Sequence, residues 1–321
     1  MKYFTLNDST NKIDMSKISF GAGIFDNYSK RDDYFRLLDI YFEKGGNVID
    51  TARVYCDWCE SGKDTSEKIV GEWIKYSGIE RKNIIVVTKC AHPPLDDMFK
   101  NRLTKKEINS DIDRSLELLG LDSVDILFLH RDNADALLDE VIDTLDEVKS
   151  IGKTKFIGAS NWTAERIKQA NNYALTANKT PFSISQISYS LAVTTPKECG
   201  DETLVCMNNK EYSFYKSNNF PVMAFASQGK GFFSKYLAMD ELTKKIQSRF
   251  YSEQNLQRAE VVKRLCEEKG ASPAAVALAF ITSQPMPTSA IIGMSSAEQL
   301  LDSLSIPDLE LTISDIRRLD I

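Results

Sequence analysis

Short β-branched and aromatic runs alternate with amphipathic stretches along nearly the whole chain, regularly enough to be counted. Strands are predicted at residues 18–20, 47–50, 84–88, 124–129, 155–158, 184–187, 222–225 and 289–292. Apolar runs separated by helical stretches in this way imply parallel strands covered by crossover helices. Within 105–119, Ile108, Ile112 and Leu116 recur every four residues, which draws one stripe along a helix. Thr104 and Glu107 stand at capping-box spacing before it, and Asp113, Arg114 and Glu117 fall off the stripe and read as its solvated face. Ser272 followed by Pro273 sets a hydroxyl cap ahead of a proline at the first helical position. The apolar run 274–280 then predicts a buried helix, and Thr312 with Asp315 signals a last one.

Eight strand–helix units fit a closed (β/α)8 barrel better than an open doubly wound sheet. An open dinucleotide-binding sheet would carry a G-x-G-x-x-G turn after its first strand, whereas Phe20-Gly21-Ala22-Gly23-Ile24 holds only two of those glycines. No proline-rich linker or shift of composition divides the 321 residues. The expectation is therefore α/β, one TIM barrel domain over 1–321, with a short N-terminal extension and an additional C-terminal helix.

A charged fraction of 27% and an apolar fraction of 42% describe an ordinary globular chain. The net charge of −6 is spread without like-charged runs, which argues against nucleic acid as a partner. No apolar stretch reaches the roughly 20 residues of a membrane span. The polar N-terminus lacks the apolar core of a signal peptide, so the expected location is cytoplasmic, away from membranes. The six cysteines, at 56, 59, 90, 199, 206 and 266, are expected as reduced thiols. Cys56 and Cys59 could join Cys199 and Cys206 in a zinc site, but the wide spacing of the second pair is loose for one and no metal is expected.

In such a barrel the reactive side chains leave the C-terminal ends of strands, where short loops aim them into one cleft. Asp50 ends one predicted strand, Lys89 and His130 directly follow the next two, and Ser160 with Asn161 lies just beyond the one after. Singly, Asp50 reads as a turn cap, Lys89 as a snorkelling surface residue and His130 as a core histidine. An acid, a cation and an imidazole converging on one centre is what a purely structural role does not require.

Asp50-Thr51-Ala52-Arg53-Val54-Tyr55, Thr88-Lys89, Leu129-His130 and Ile157-Gly158-Ala159-Ser160-Asn161-Trp162 together resemble the aldo-keto reductase superfamily. The resemblance continues through Gln186-Ile187-Ser188-Tyr189, Ala224-Phe225-Ala226-Ser227, Ile291-Ile292-Gly293 and Glu298-Gln299-Leu300, and so spans nearly the whole chain. It implies NAD(P)H-dependent reduction of an aldehyde or ketone to an alcohol, with Tyr55 as proton donor, Asp50 and Lys89 supporting it, and His130 donating to the carbonyl oxygen. A tyrosine, ordinarily near pKa ~10, is a weak donor, and a neighbouring ammonium is expected to draw it towards phenolate.

The resemblance also implies a cofactor site. Ser160, Asn161 and Gln186 would hold the nicotinamide carboxamide, Phe225 would stack beneath the ring where the family often has tyrosine, and Gly23 and Ile24 would border it. The backbone from Ala226 through Gln228 to Gly231 would cradle the pyrophosphate, with Lys230 as counter-charge. Gly293, Ser295, Gln299 and Asp302 fall at the adenosine end, where the family often clamps the 2′-phosphate of NADP with a cation. Residues 293–303 contain no cation, which weakens a preference for NADP(H) over NAD(H) without reversing it, and Lys244, Lys245 or Arg249 could supply the charge.

Phe25, Trp58, His92 and Trp162 are the expected pocket residues. A long C-terminal lid is not signalled, so substrate choice falls to loops 56–65, 91–104 and 191–219, whose polarity favours a hydroxylated or sugar-like small carbonyl compound. Two alternatives are a cofactor-binding regulatory protein with little turnover, like the potassium-channel β subunits of the superfamily, and a metal-dependent barrel hydrolase. The second lacks the repeated His and carboxylate ligands it needs. The pattern is compatible with a monomer or a homo-oligomer.

Overall fold

All eight predicted strands form, and they close on one another. The computed structural model describes residues 1–60, 62–305 and 309–320; Ser61 of the 56–65 loop and Ile321 lie outside the described residues. A two-stranded hairpin, β1 (Tyr3–Asn7) and β2 (Lys12–Ser16), precedes the barrel. The barrel comprises β3 (Ile18–Gly21), β4 (Val48–Asp50), β5 (Ile85–Cys90), β6 (Val124–Leu129), β7 (Thr154–Ser160), β8 (Ile184–Ser188), β9 (Val222–Phe225) and β10 (Thr288–Ile292). Neighbours are parallel in chain order, and β10 closes the ring by pairing Ala290 with both Ile18 of β3 and Ala224 of β9.

Strands covered on both faces read as unbroken apolar runs, and every residue of β4, β5, β6, β8 and β10 is buried. Because side chains alternate along a strand, the barrel has two apolar populations. Val48, Val87, Ile126, Phe128, Phe156, Ile184 and Met223 fill the interior, while Ile49, Val86, Leu127, Ile157 and Ala224 join the layer under the helices. Gly158 makes room for this interior: a Cβ there would lie 2.4 Å from Phe128 Cε1 and 2.8 Å from the Ile184 carbonyl oxygen.

The N-terminal extension is more structured than expected. Leu6 and Met15 of the hairpin join the interior cluster, so β1 and β2 plug the end of the barrel where the strands begin. The signal was the alternation of Phe4 with Leu6 and of Ile13 with Met15 around the polar turn Asn7–Asn11.

The helix Lys105–Leu119 has the predicted bounds, but its cap and inner face differ. The Thr104 hydroxyl accepts from the Glu107 N–H at 3.3 Å, while the Glu107 carboxylate turns to that hydroxyl and to Arg102, so the capping box is half formed. Its buried face is Ile108, Asp111, Ile112, Ser115 and Leu119, with Leu116 only partly buried. Asp111 is drawn inward by the Ala91 N–H at 2.8 Å and Arg102 at 2.9 Å, an attraction that hydrophobic periodicity does not register. Arg114, expected on the solvated face, reaches Asp64 at 2.7 Å. Ser272 caps Pro273–Thr282, and Thr312 with Asp315 forms a complete capping box on Ile313–Leu319, both as expected. Among the described residues no helix is long and apolar enough to cross a membrane.

Candidate active site

The C-terminal ends of β4, β5, β6 and β8 meet around a single buried ammonium. Lys89 Nζ lies 2.8 Å from each carboxylate oxygen of Asp50, 2.9 Å from the Thr51 carbonyl oxygen and 2.8 Å from the Tyr55 hydroxyl. The Gln186 amide donates to the same carboxylate at 2.8 Å. The Lys89 and Asp50 side chains are 0% and 1% exposed, so neither could stay charged without the other. Tyr55 reaches them through a tight turn after β4, its N–H bonded to the Ala52 carbonyl at 3.0 Å. Its ring lies over Gly23, where even a Cβ would touch it at 3.5 Å.

The electrostatic balance differs from the expectation that the ammonium draws Tyr55 towards phenolate. Burial, reinforced by the Asp50 charge and its hydrogen bond from the Tyr55 hydroxyl at 3.3 Å, holds the phenol well above its ordinary value. Burial lowers Lys89 while Asp50 opposes that shift. The result is a protonated tyrosine whose oxygen already accepts a hydrogen bond from a cation.

His130, directly after β6, packs edge to face with Tyr55, ring centroids 5.7 Å apart, and with His92 at 4.6 Å. Burial first, then His92, Arg131 and Lys89, push its pKa well below the usual 6.5, which leaves a neutral imidazole. Its Nδ1 has no hydrogen-bond partner. His92 is likewise held down, to about 4, by burial and Arg131, and its Nδ1 sits 2.6 Å from the Pro93 carbonyl oxygen. It therefore both lines the site and braces the Pro93-Pro94 turn. Trp58 packs edge to face with Tyr55 at 6.0 Å and is half exposed, so it stands at the mouth.

Arg131 was not anticipated. Its guanidinium is buried behind the histidines and donates to the His130 carbonyl at 3.0 Å, the Thr203 hydroxyl at 3.0 Å and the Asp201 carboxylate at 3.3 Å. The available signal was a cation directly following His130 at a strand end. The Asn161 amide reaches the same His130 carbonyl at 3.3 Å and the Ser160 hydroxyl at 3.1 Å, while its oxygen accepts from the Val205 N–H. Asn161 adopts a left-handed conformation, φ 57°, which asparagine tolerates.

Beyond β9, Ala226, Gly229, Lys230 and Gly231 all have positive φ, between 53° and 76°. Backbone turned this way gathers N–H groups into a concavity suited to an anion, so the segment fits a pyrophosphate. It is tied down by Ser227, which donates to the Ile291 carbonyl at 2.7 Å, and by Gln228, which donates to the Ser303 hydroxyl at 3.1 Å. Burial and the charges of Arg249 and Lys245 lower the Lys230 pKa, so these cations crowd together beside the segment. Phe225 is partly buried against the interior cluster. At the far end, Gly293 approaches Ile24, and Ser295 donates to the Gln299 amide oxygen at 3.2 Å. Asp302 accepts from Ser272 at 3.0 Å.

Two expected pocket residues are not brought to this cleft. Phe25 is fully buried and stacked on Tyr34 at 4.5 Å, because the single helical turn Ala22–Ile24 directs it back towards Phe20. Trp162 is also fully buried, against Phe182 at 5.3 Å and beneath the Arg166 guanidinium. Among the described residues no group of three or more His, Cys, Asp or Glu side chains is placed to hold a metal ion, so Cys56, Cys59, Cys199 and Cys206 are not gathered into a zinc site.

The sequence profile of the Aldo/keto reductase family matches residues 17–321. An aryl-alcohol dehydrogenase [NADP(+)] of Phanerodontia chrysosporium is 31% identical over 185 residues, which covers 54% of this chain and 45% of that protein. A putative aryl-alcohol dehydrogenase of Saccharomyces cerevisiae is 26% identical, covering 94% of this chain and 81% of its own length. An uncharacterized oxidoreductase of Bacillus subtilis is 25% identical over 95% of this chain and 91% of its own. With a family match that begins just before β3 and runs through every barrel strand, the chain belongs to the aldo/keto reductase family.

Proposed function

We propose that this protein reduces an aldehyde or ketone to an alcohol with NAD(P)H, and that Tyr55 delivers the proton. The observation that carries the reading is the buried chain from Asp50 through Lys89 to the Tyr55 hydroxyl. The reduced nicotinamide, when bound, supplies a hydride to the carbonyl carbon. The neutral His130 imidazole donates a hydrogen bond to the carbonyl oxygen and orients it towards Tyr55. As the oxygen gains charge it takes the phenol proton, and the phenolate left behind faces the Lys89 ammonium at 2.8 Å. Asp50 keeps that ammonium charged, so the cost of making a phenolate in a buried site is offset at the moment it forms.

Ser160, Asn161 and Gln186 would hold the carboxamide, Phe225 the ring face, and the backbone of 226–231 the pyrophosphate. Gly23, Ile24, Gly293, Ser295, Gln299 and Asp302 would border the cofactor along its length. NADP(H) is favoured over NAD(H) by the cations Lys230, Lys245 and Arg249 beside the phosphate segment, and by the cofactor in the name of one relative. The substrate class is a small carbonyl compound entering between Trp58 and His92. Aryl aldehydes, suggested by the relatives' names, and polar keto-sugars, suggested by the polar loops, are the panel to assay.

Tyr55→Phe is expected to lower kcat by roughly 10²–10⁴-fold, the usual worth of a positioned acid. NADPH binding, followed by fluorescence titration, is expected to stay near wild type. Undiminished turnover would overturn the assignment.

A further inference from the structure

Directly after β5 the backbone takes a turn that an alanine resists. Ala91 is left-handed, φ 57°, a conformation its Cβ opposes. It is held there by the Asp111 carboxylate, which accepts from the Ala91 N–H at 2.8 Å. Arg102, bound to the same carboxylate at 2.9 Å, donates to the His92 carbonyl oxygen at 2.8 Å. Strain that surrounding bonds maintain at a strand end points to a side chain that has to face one way. That side chain is His92, whose ring sits edge to face on His130 with centroids 4.6 Å apart. The same bracing fixes where its proton is. His92 Nδ1 lies 2.6 Å from the Pro93 carbonyl oxygen, and a carbonyl can only accept, so Nδ1 carries the hydrogen. Burial, with Arg131 next, holds the pKa at about 4, so the ring takes no second proton at neutral pH. Nε2 is therefore a bare lone pair.

We propose that His92 determines specificity by accepting, at Nε2, a hydrogen bond from a hydroxyl on the carbon next to the reacting carbonyl. The substrate class is then an α-hydroxy aldehyde or ketone, the grouping that an open-chain sugar presents. Given the carbonyl reduction proposed above, on which this assignment rests, His130 donates to the carbonyl oxygen. His92, one ring away, accepts from the neighbouring hydroxyl. Two imidazoles of opposite hydrogen-bonding polarity thus read two adjacent oxygens of one molecule. A carbonyl compound without that hydroxyl displaces water from Nε2 and gives no proton in return. A site built to bond a hydroxyl discriminates in this way against analogues that lack it. A plain aryl aldehyde accordingly uses only the His130 half of the pair.

Hydroxyacetone and methoxyacetone form a matched pair, because both oxygens withdraw electrons from the carbonyl and only the first has a proton to give. With NADPH or NADH, kcat/KM is expected to favour hydroxyacetone by at least about tenfold. The preference is expected to shrink towards one in His92→Phe, which keeps a ring against His130 but removes the acceptor. Only the ratio is read, so a general loss of activity in the variant cancels. Equal kcat/KM for the two ketones in the wild type overturns the inference and leaves the reductase reading standing. A preference unchanged in the variant belongs to the bulk of the methyl group and overturns it too. No cofactor oxidation with either ketone or with the aldehyde panel sinks the reductase reading itself, and the inference with it. The chain has two histidines, so nitrogen NMR of the wild type gives a readout that needs no variant. One ring is expected as the neutral Nδ1–H form at neutral pH, and a spectrum without that form overturns the acceptor.

Discussion

Glu67 is a carboxyl group with almost nothing to ionise against, and replacing it by glutamine should change how stability depends on pH. It lies in the first turn of the helix Thr65–Ser77, 1% exposed, and one of its oxygens accepts from the Thr88 hydroxyl at 2.6 Å. The other oxygen and the nearby Ser115 hydroxyl have no partner of good geometry, as befits a protonated carboxyl whose own hydrogen can serve that contact. Burial raises its pKa from 4.5 to about 7. At about 1.4 kcal/mol per pH unit this difference is worth roughly 3 kcal/mol. The sign follows from proton binding: between 4.5 and about 7 the unfolded chain has released the proton and the folded one retains it. Folding stability from this group is therefore complete below the unfolded value and is lost as pH rises to the folded one. Glu67→Gln keeps the Thr88 contact and removes the titration. Urea unfolding of both proteins at about pH 5 and about pH 8 should show the wild type losing roughly 3 kcal/mol more than the variant across that interval. Parallel pH dependence in the two would show that Glu67 is solvated or charge-compensated, and the burial reasoning would fail.

Gly158→Ala should destabilise the barrel by about 1–3 kcal/mol, the usual cost of overpacking, because the new methyl meets the Phe128 ring and the Ile184 backbone together; an unchanged unfolding midpoint would contradict it. With His130 held neutral by burial and nearby cations, kcat/KM for carbonyl reduction should show no break near pH 6.5 attributable to this residue. A break there that disappears in His130→Gln would count against the neutral imidazole.

The barrel was legible because two rules act together over its whole length. Strands buried on both faces must be continuous apolar runs, and a strand's end determines which residue emerges into the cleft. Asp50, Lys89 and His130 could be placed for that reason, since each terminates or directly follows such a run. Loop residues obey neither rule. Phe25 and Trp162 follow β3 and β7 within four residues, in the same kind of strand-end loop that carries His130 after β6, yet both turn into the core. Their directions are set by a single helical turn in one case and by packing under the helix Ala164–Thr176 in the other, details that spacing does not carry. The hairpin that plugs the barrel was missed for the opposite reason: its alternation is present, but only Leu6 and Met15 are buried deeply enough to advertise a core.

What the sequence could not convey is the charge balance of the cleft, and this bears most directly on the proposed chemistry. A lysine beside a tyrosine suggests an acidified phenol when only the pair is considered. In the folded protein the same ammonium is shared with Asp50, and burial penalises the phenolate, so Tyr55 rests fully protonated. Arg131 restores the cationic side, and its charge opposes the raised pKa of Tyr55 while it is itself held by Asp201. With both histidines neutral, the cleft places two cations, Lys89 and Arg131, against two carboxylates, Asp50 and Asp201. Negative charge developing on a carbonyl oxygen and passing to Tyr55 thus meets no net repulsion. It arises next to an ammonium already oriented towards the phenol oxygen, so the stabilisation is strongest once the proton has moved, which is where catalysis requires it.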